Sequence, residues 1–119
     1  MLTFRFRDFQ VYKDAKAFRT SILDILKSFP ASEQYRLTDQ IHRSCLSIVL
    51  NIAEGSAKKS DKDFCRFLEM AIASVNEIIA AFDIALDDKL ITTAQMKEIE
   101  QSAEHIAKQL GGFIKSIRV

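Results

Sequence analysis

A chain of 119 residues with 48% apolar and 28% charged side chains can bury a core of its own and is too apolar to stay disordered. Its net charge of +1, from 17 basic and 16 acidic residues, excludes a polybasic nucleic-acid binder of the usual kind and leaves any such role to a local patch. Three glycines and one proline exclude a many-stranded β fold, which needs a turn roughly every 8–12 residues, and point to long helices in a single domain over residues 1–119.

The N-terminal "MLTFRFRDF" lacks the apolar stretch of a secretory signal, so a cytoplasmic protein is expected. The first helix is predicted over about 8–29. Val11, Ala15, Phe18, Ile22, Ile25 and Phe29 alternate at spacings of four and three, which keeps them on one face. Asp8 is its expected cap and Pro30 its stop. Arg5, Arg7, Lys13, Lys16 and Arg19 form a basic set around it. Residues 31–37 read as a turn or a short helical piece.

The second helix is predicted over about 38–55, capped by Thr38, with Ile41, Cys45, Ile48 and Ile52 as its seam and Gly55 as the residue that ends it. The third, about 61–87, starts at Ser60, with Asp63 three residues on. Phe64, Leu68, Ala71, Val75, Ile78, Phe82 and Ala85 form its seam. The fourth, about 93–117, opens with a Thr92/Gln95 capping box and runs Met96, Ile99, Ala103, Ile106, Leu110, Phe113, Ile117. Gly111-Gly112 inside it marks a close helix contact, a kink or fraying. Short links make successive helices antiparallel, so the expected fold is all-α, an antiparallel up-and-down four-helix bundle.

Helices 2 and 3 carry more apolar surface than such a bundle needs. Leu46, Val49 and Leu50 on helix 2, and Ile72, Ile79, Ala80, Ala81 and Ile84 on helix 3, lie outside the seams. A second copy of the chain is the expected cover, with Ile72 and Ile79 as candidate interface residues. The most apolar window, 70–86, holds Asn76, Glu77 and Asp83, so no membrane span is expected.

Candidate chemistry is sparse. No phosphate-binding loop, nucleophile elbow or zinc-protease motif occurs. Cys45 and Cys65 read as reduced core residues, and with His42 they make too loose a set for a metal; no cofactor or metal is expected, and the protein reads as non-enzymatic. His105 reads as a surface residue. Gln40, Arg43, Ser47, Asn51 and Glu54 form a polar stripe beside the helix 2 seam. It reads either as a solvated edge or as a hydrogen-bonded strip at a subunit boundary. Glu54, unfavourable in a last turn, calls for a cationic partner among Lys58, Lys59 and Arg66. Lys58, Lys59, Lys62 and Arg66 make one local basic patch, either a solvated turn or, with Arg43, a surface for RNA phosphates read without sequence preference. No RNA-reading module with surface aromatics is visible.

The segments "FRDFQVYKDA", "FPASEQYRLTDQIHRSCLSIVLNIAEG" and "SDKDFCRFLEMAIASVNEI" resemble the bacterial four-helix bundle proteins of the 23S rRNA intervening-sequence type. The specific part includes Phe29-Pro30, Glu33, Tyr35, Leu37, Arg43, Asn51 through Gly55, Phe64, Ser74 and Glu77. The resemblance implies an up-and-down bundle assembled as a homopentameric ring. It extends to the accessory protein of diversity-generating retroelements, which binds nucleic acid and a reverse transcriptase and is strongly basic where this chain is near neutral. The expected partners are therefore copies of the chain itself, with RNA or a nucleic-acid-binding protein as a further one. The alternative is a structural or protein-partner scaffold with no nucleic-acid binding.

Overall fold

Four helices carry the chain in the computed structural model, which describes residues 3–31 and 36–118. A short 3-10 helix, Arg5–Asp8, leads into α1 (Gln10–Leu26), followed by α2 (Leu37–Ser56), α3 (Asp61–Asp87) and α4 (Thr93–Arg118); no strand occurs among the described residues. The bundle measures 46 × 23 × 19 Å. At 1.5 Å per residue the 27 residues of α3 reach about 40 Å, nearly its full length. α2, α3 and α4 pack on one another in sequence, and α1 closes the ring more loosely against α2 and α4. The fold is all-α and a four-helix bundle, as the seams predict.

The seams form the core. Every predicted seam residue of α2 and α3 is buried. In α1 and α4 the stripe drifts by one residue. Leu26 is buried where Ile25 was expected, and Ile114 where Phe113 was, with Ile25, Phe113 and Ile117 half-buried against the same core. The drift follows from 3.6 residues per turn: a strict alternation of three and four walks off one face over a long helix. Among the largest fully buried side chains are Phe82, Leu68, Ile48 and Leu110, each contributing about 1.5–3 kcal/mol of apolar burial.

The helix ends both confirm and correct the predicted ones. Ser60 caps α3 by accepting from Asp63 N–H at 3.1 Å. Thr92 and Gln95 complete a reciprocal box, with Thr92 N–H donating to Gln95 Oε1 at 2.8 Å and Gln95 N–H to Thr92 Oγ1 at 3.0 Å. Asp8 caps nothing. It closes the 3-10 helix, and Phe9 stands at the N-cap of α1 with no side-chain bond. α1 ends at Leu26, three residues before the predicted end, because its last turn tightens: Phe29 N–H bonds Leu26 C=O at 3.1 Å while Phe29 itself enters the core. Arg36, not Thr38, occupies the N-cap of α2, and Thr38 lies within its first turn. Glu33 and Tyr35, with the rest of the predicted turn at 32–35, lie outside the described residues.

Gly55 does not end α2. It sits inside the helix, buried, with no positive φ, and α2 continues to Ser56. A Cβ there would stand 2.8 Å from Cβ of Phe67, so the residue is glycine because α3 passes too close for anything larger. Gly111 and Gly112 show the opposite: nothing lies within 4 Å of a Cβ built on either, and α4 runs on through both, so they mark no close contact. The left-handed position of the fold falls on Lys89, at φ 61°. There Leu90 N–H bonds Ala85 C=O and Lys89 N–H bonds Leu86 C=O, the paired bonds of a Schellman ending.

Candidate nucleic-acid interface

Antiparallel packing gathers the start of α1, the end of α2, the start of α3 and the end of α4 at one end of the bundle. An aromatic cluster ties them: Phe9 and Phe113 rings lie 5.0 Å apart, Phe64 and Phe113 5.3 Å, Phe9 and Phe64 6.2 Å. Arg5 locks the 3-10 helix over this end. Its guanidinium donates through Nε (3.2 Å) and Nη2 (2.9 Å) to the Ser56 carbonyl, the final carbonyl of α2, and lies 5.3–5.5 Å from the Phe64 and Phe9 rings. A cation at a helix C-terminus also suits the helix dipole. Arg5 is thus a strut.

The same end collects the cations. Lys58 and Lys59 are exposed on the α2–α3 turn and Lys62 in the first turn of α3, and Lys115 and Arg118 lie in the last turn of α4. Lys58 and Arg66 both lie 4.9 Å from the buried Phe67 ring, one cation from each side of the turn. Arg66 also faces Asp63 at 3.8 Å, and Arg118 pairs with Glu69. Among the described residues Lys59, Lys62 and Lys115 have no ion-pair partner, although exposed Asp61, Asp63 and Glu54 lie at the same end and dilute the patch. The other end closes α3 with Asp83, Asp87 and Asp88, giving the bundle a charge asymmetry along its axis.

Arg43 does not join this patch. It lies 15 residues up α2 from Lys58, about 20 Å away, and pairs with Asp39 on its own helix. Glu54 is exposed and makes no ion pair among the described residues, so the cationic partner expected for it is not found. Lys58 and Arg66 are drawn to Phe67 instead.

The polar stripe resolves into an α2–α3 seam within the chain. Asn51 Nδ2 donates to Ser47 carbonyl at 2.8 Å and to its hydroxyl at 2.9 Å, and Ser74 Oγ meets Ser47 Oγ at 2.9 Å. Glu77 accepts from Ser44 Oγ at 2.7 Å and from Gln40 Nε2. Ser44 was missed from the stripe, although its place one turn from Ile48 puts it there. Beside this seam the surface is apolar: Leu50, one turn from Ser47, is 54% exposed, Met70, one turn from Ser74, is 44% exposed, and Ile84, two turns from Glu77, is 53% exposed. Ile72 and Ile79 instead pack partly against the bundle's own core.

Sequence reasoning also missed Phe4, 53% exposed at the basic end with Arg7 4.9 Å from its ring. The signal was present in "FRFR", aromatics interleaved with arginines. Burial pushes the Cys45 thiol up to about 12, opposed by Arg19, which disfavours the thiolate a nucleophile or ligand needs; Cys65 is likewise buried in the core. No cluster of three metal-ligating residues occurs among the described residues, and no described helix is long and apolar enough to cross a membrane.

Comparison with known proteins agrees with this architecture. A family model described as 23S rRNA-intervening sequence protein matches residues 7–112. A solved structure of a protein of unknown function from the S23 ribosomal protein family of Bacteroides thetaiotaomicron superposes with a TM-score of 0.80 at 27% identity, covering 88% of this chain and 98% of that one. Among curated proteins none matches.

Proposed function

Because the chain belongs to the 23S rRNA-intervening sequence protein family, we propose that it works in the cytoplasm as a non-enzymatic, self-associating helical bundle whose basic end binds RNA through its phosphates. The observation that carries the binding half is the convergence of Lys59, Lys62 and Lys115, from two separate parts of the sequence, on one end of the bundle without ion-pair partners among the described residues. Each bundle's patch is weak. Repeated around a ring it becomes a multivalent polyanion surface, and released counterions drive the binding without sequence preference. The self-association half is supported by Leu50, Met70 and Ile84, large apolar side chains about half exposed along one α2–α3 face. The resemblance implies five copies.

Fluorescence anisotropy with a structured RNA at about 50 mM salt tests the binding. Replacing Lys59, Lys62 and Lys115 by Ala weakens it and flattens the salt dependence by about two to three logarithmic units of slope. No binding at that salt overturns the reading. Light scattering tests the assembly. The expected mass is a multiple of the 13.5 kDa chain, five for the ring, falling when Leu50→Asp and Met70→Asp are combined; a monomer at micromolar concentration overturns it.

A second reading, a protein-partner scaffold with no nucleic-acid affinity, draws on the near-neutral charge and on the groove between α1 and α4. That groove is lined by Asp14, Ser21, Asp24, Glu98, Ser102 and His105 over the buried Phe18, Ile22, Ile99 and Ile106. Recovery of a protein partner after nuclease treatment, with no RNA shift, favours it.

A further inference from the structure

Phosphate attraction leaves one feature of the basic end unused. Phe4 keeps 53% of its surface exposed, although burying an aromatic ring is among the largest apolar gains open to a small protein. Its support is fixed. The Arg7 and Phe9 N–H groups bond the Phe4 and Phe6 carbonyls at 3.1 and 3.0 Å, and Arg5 anchors the turn to Ser56. Three rings in contact run from it onto α1, with a cation at each end. Arg7 lies over Phe4 at 4.9 Å, Phe6 meets Phe4 edge-on at 6.2 Å and Tyr12 at 4.9 Å, and Lys16 lies over Tyr12 at 5.0 Å.

A single strand of nucleic acid offers what this arrangement takes, an unpaired base with an open π face between two phosphates; a duplex hides its base faces in the stack. We propose that the 3-10 turn is a stacking platform for single-stranded nucleic acid. An unpaired base lies on Phe4 while Arg7 and the lysines of the α2–α3 turn hold the flanking phosphates. This rests on the polyanion reading above and adds to it a preference for unpaired strands.

The protein has no tryptophan, so Phe4→Trp supplies a single reporter at the platform. A single-stranded RNA quenches its emission with the same midpoint as the anisotropy change. A duplex of equal phosphate number, and heparin, which has charge but no bases, bind without comparable quenching. Phe4→Ala, an exposed change whose folding is checked by circular dichroism, lowers single-strand affinity roughly five- to a hundredfold, the worth of one stacked base, and leaves duplex affinity within about twofold. Equal affinity for single strand and duplex with no effect of Phe4→Ala overturns the platform alone, as does equal quenching by heparin. Failure of every RNA to bind at about 50 mM salt overturns both the platform and the polyanion reading.

Discussion

At Gly55 an added methyl group would stand 2.8 Å from Cβ of Phe67 and 3.0 Å from Cδ1 of Phe64. Cβ of Phe67 is tied to the α3 backbone, so relief requires the two helices to separate. Gly55→Ala therefore costs about 1–3 kcal/mol, as overpacking does, even though alanine is the better helix former. Urea denaturation measures it, and an unchanged or raised midpoint contradicts the close-approach account. Lys89 gives the converse. It holds the left-handed position of the α3–α4 turn, where a side chain costs about 1–2 kcal/mol and glycine costs nothing sterically. Lys89→Gly accordingly raises stability by about 0.5–1 kcal/mol, read by the same denaturation. The sequence showed a glycine near the end of α2 and none in the α3–α4 turn. It could not show which backbone position needed one, because that depends on φ and on the distance to a neighbouring helix.

Of the four neighbouring pairs of α-helices the loosest is α1 with α4, and a polar clasp holds it. Asp14 on α1 accepts from Gln10 Nε2 and from Gln109 Nε2 of α4, both at 2.9 Å, with His105 Nε2 3.4 Å away. The hydrogen bond from Gln10, then that from Gln109, hold its carboxyl below the usual 3.8 against some desolvation, with His105 adding a smaller pull. A carboxyl more acidic in the folded chain stabilises the fold fully above the unfolded value. That contribution is lost as pH falls through the lowered folded value. Asp14→Asn should therefore destabilise the protein above about pH 5, and the gap to the parent should shrink below about pH 4. Thermal unfolding of both chains across that range checks it, and a gap that widens in acid contradicts it. His105, read from the sequence as a plain surface residue, belongs to this clasp because α1 passes beside it, a neighbour the α4 pattern alone does not reveal.

Over the whole molecule, one core drawn from all four helices encloses both thiols, Cys45 at 1% and Cys65 at 2% exposure. Their reactivity then reports unfolding of the bundle as a unit. At pH 8 a disulfide reagent should find almost no thiol in the native chain and both after denaturation, at a rate that follows unfolding; fast native reaction of either contradicts this. Burial with the thiol of Cys45 pushed up to about 12 is the cause.

The sequence by itself determined the helices, their seams and their antiparallel order. The helices and the α2 and α3 seams follow from spacing along one chain, and the antiparallel order of α2, α3 and α4 from the short links between them; the α1 and α4 seams drifted by a residue. It also set the Ser60 and Thr92 caps, which are local chemistry over three residues. The tertiary structure decided what required two distant segments at once. It turned the Ser47–Asn51 stripe into an α2–α3 hydrogen-bonded seam and separated Arg43 from the lysines. It made Arg5 a strut on Ser56, and it brought Lys115 of α4 to the same end as Lys59 and Phe4. Hydrogen bonds and short contacts depend on ångström distances between residues up to about a hundred positions apart, and no periodicity within a single helix encodes them.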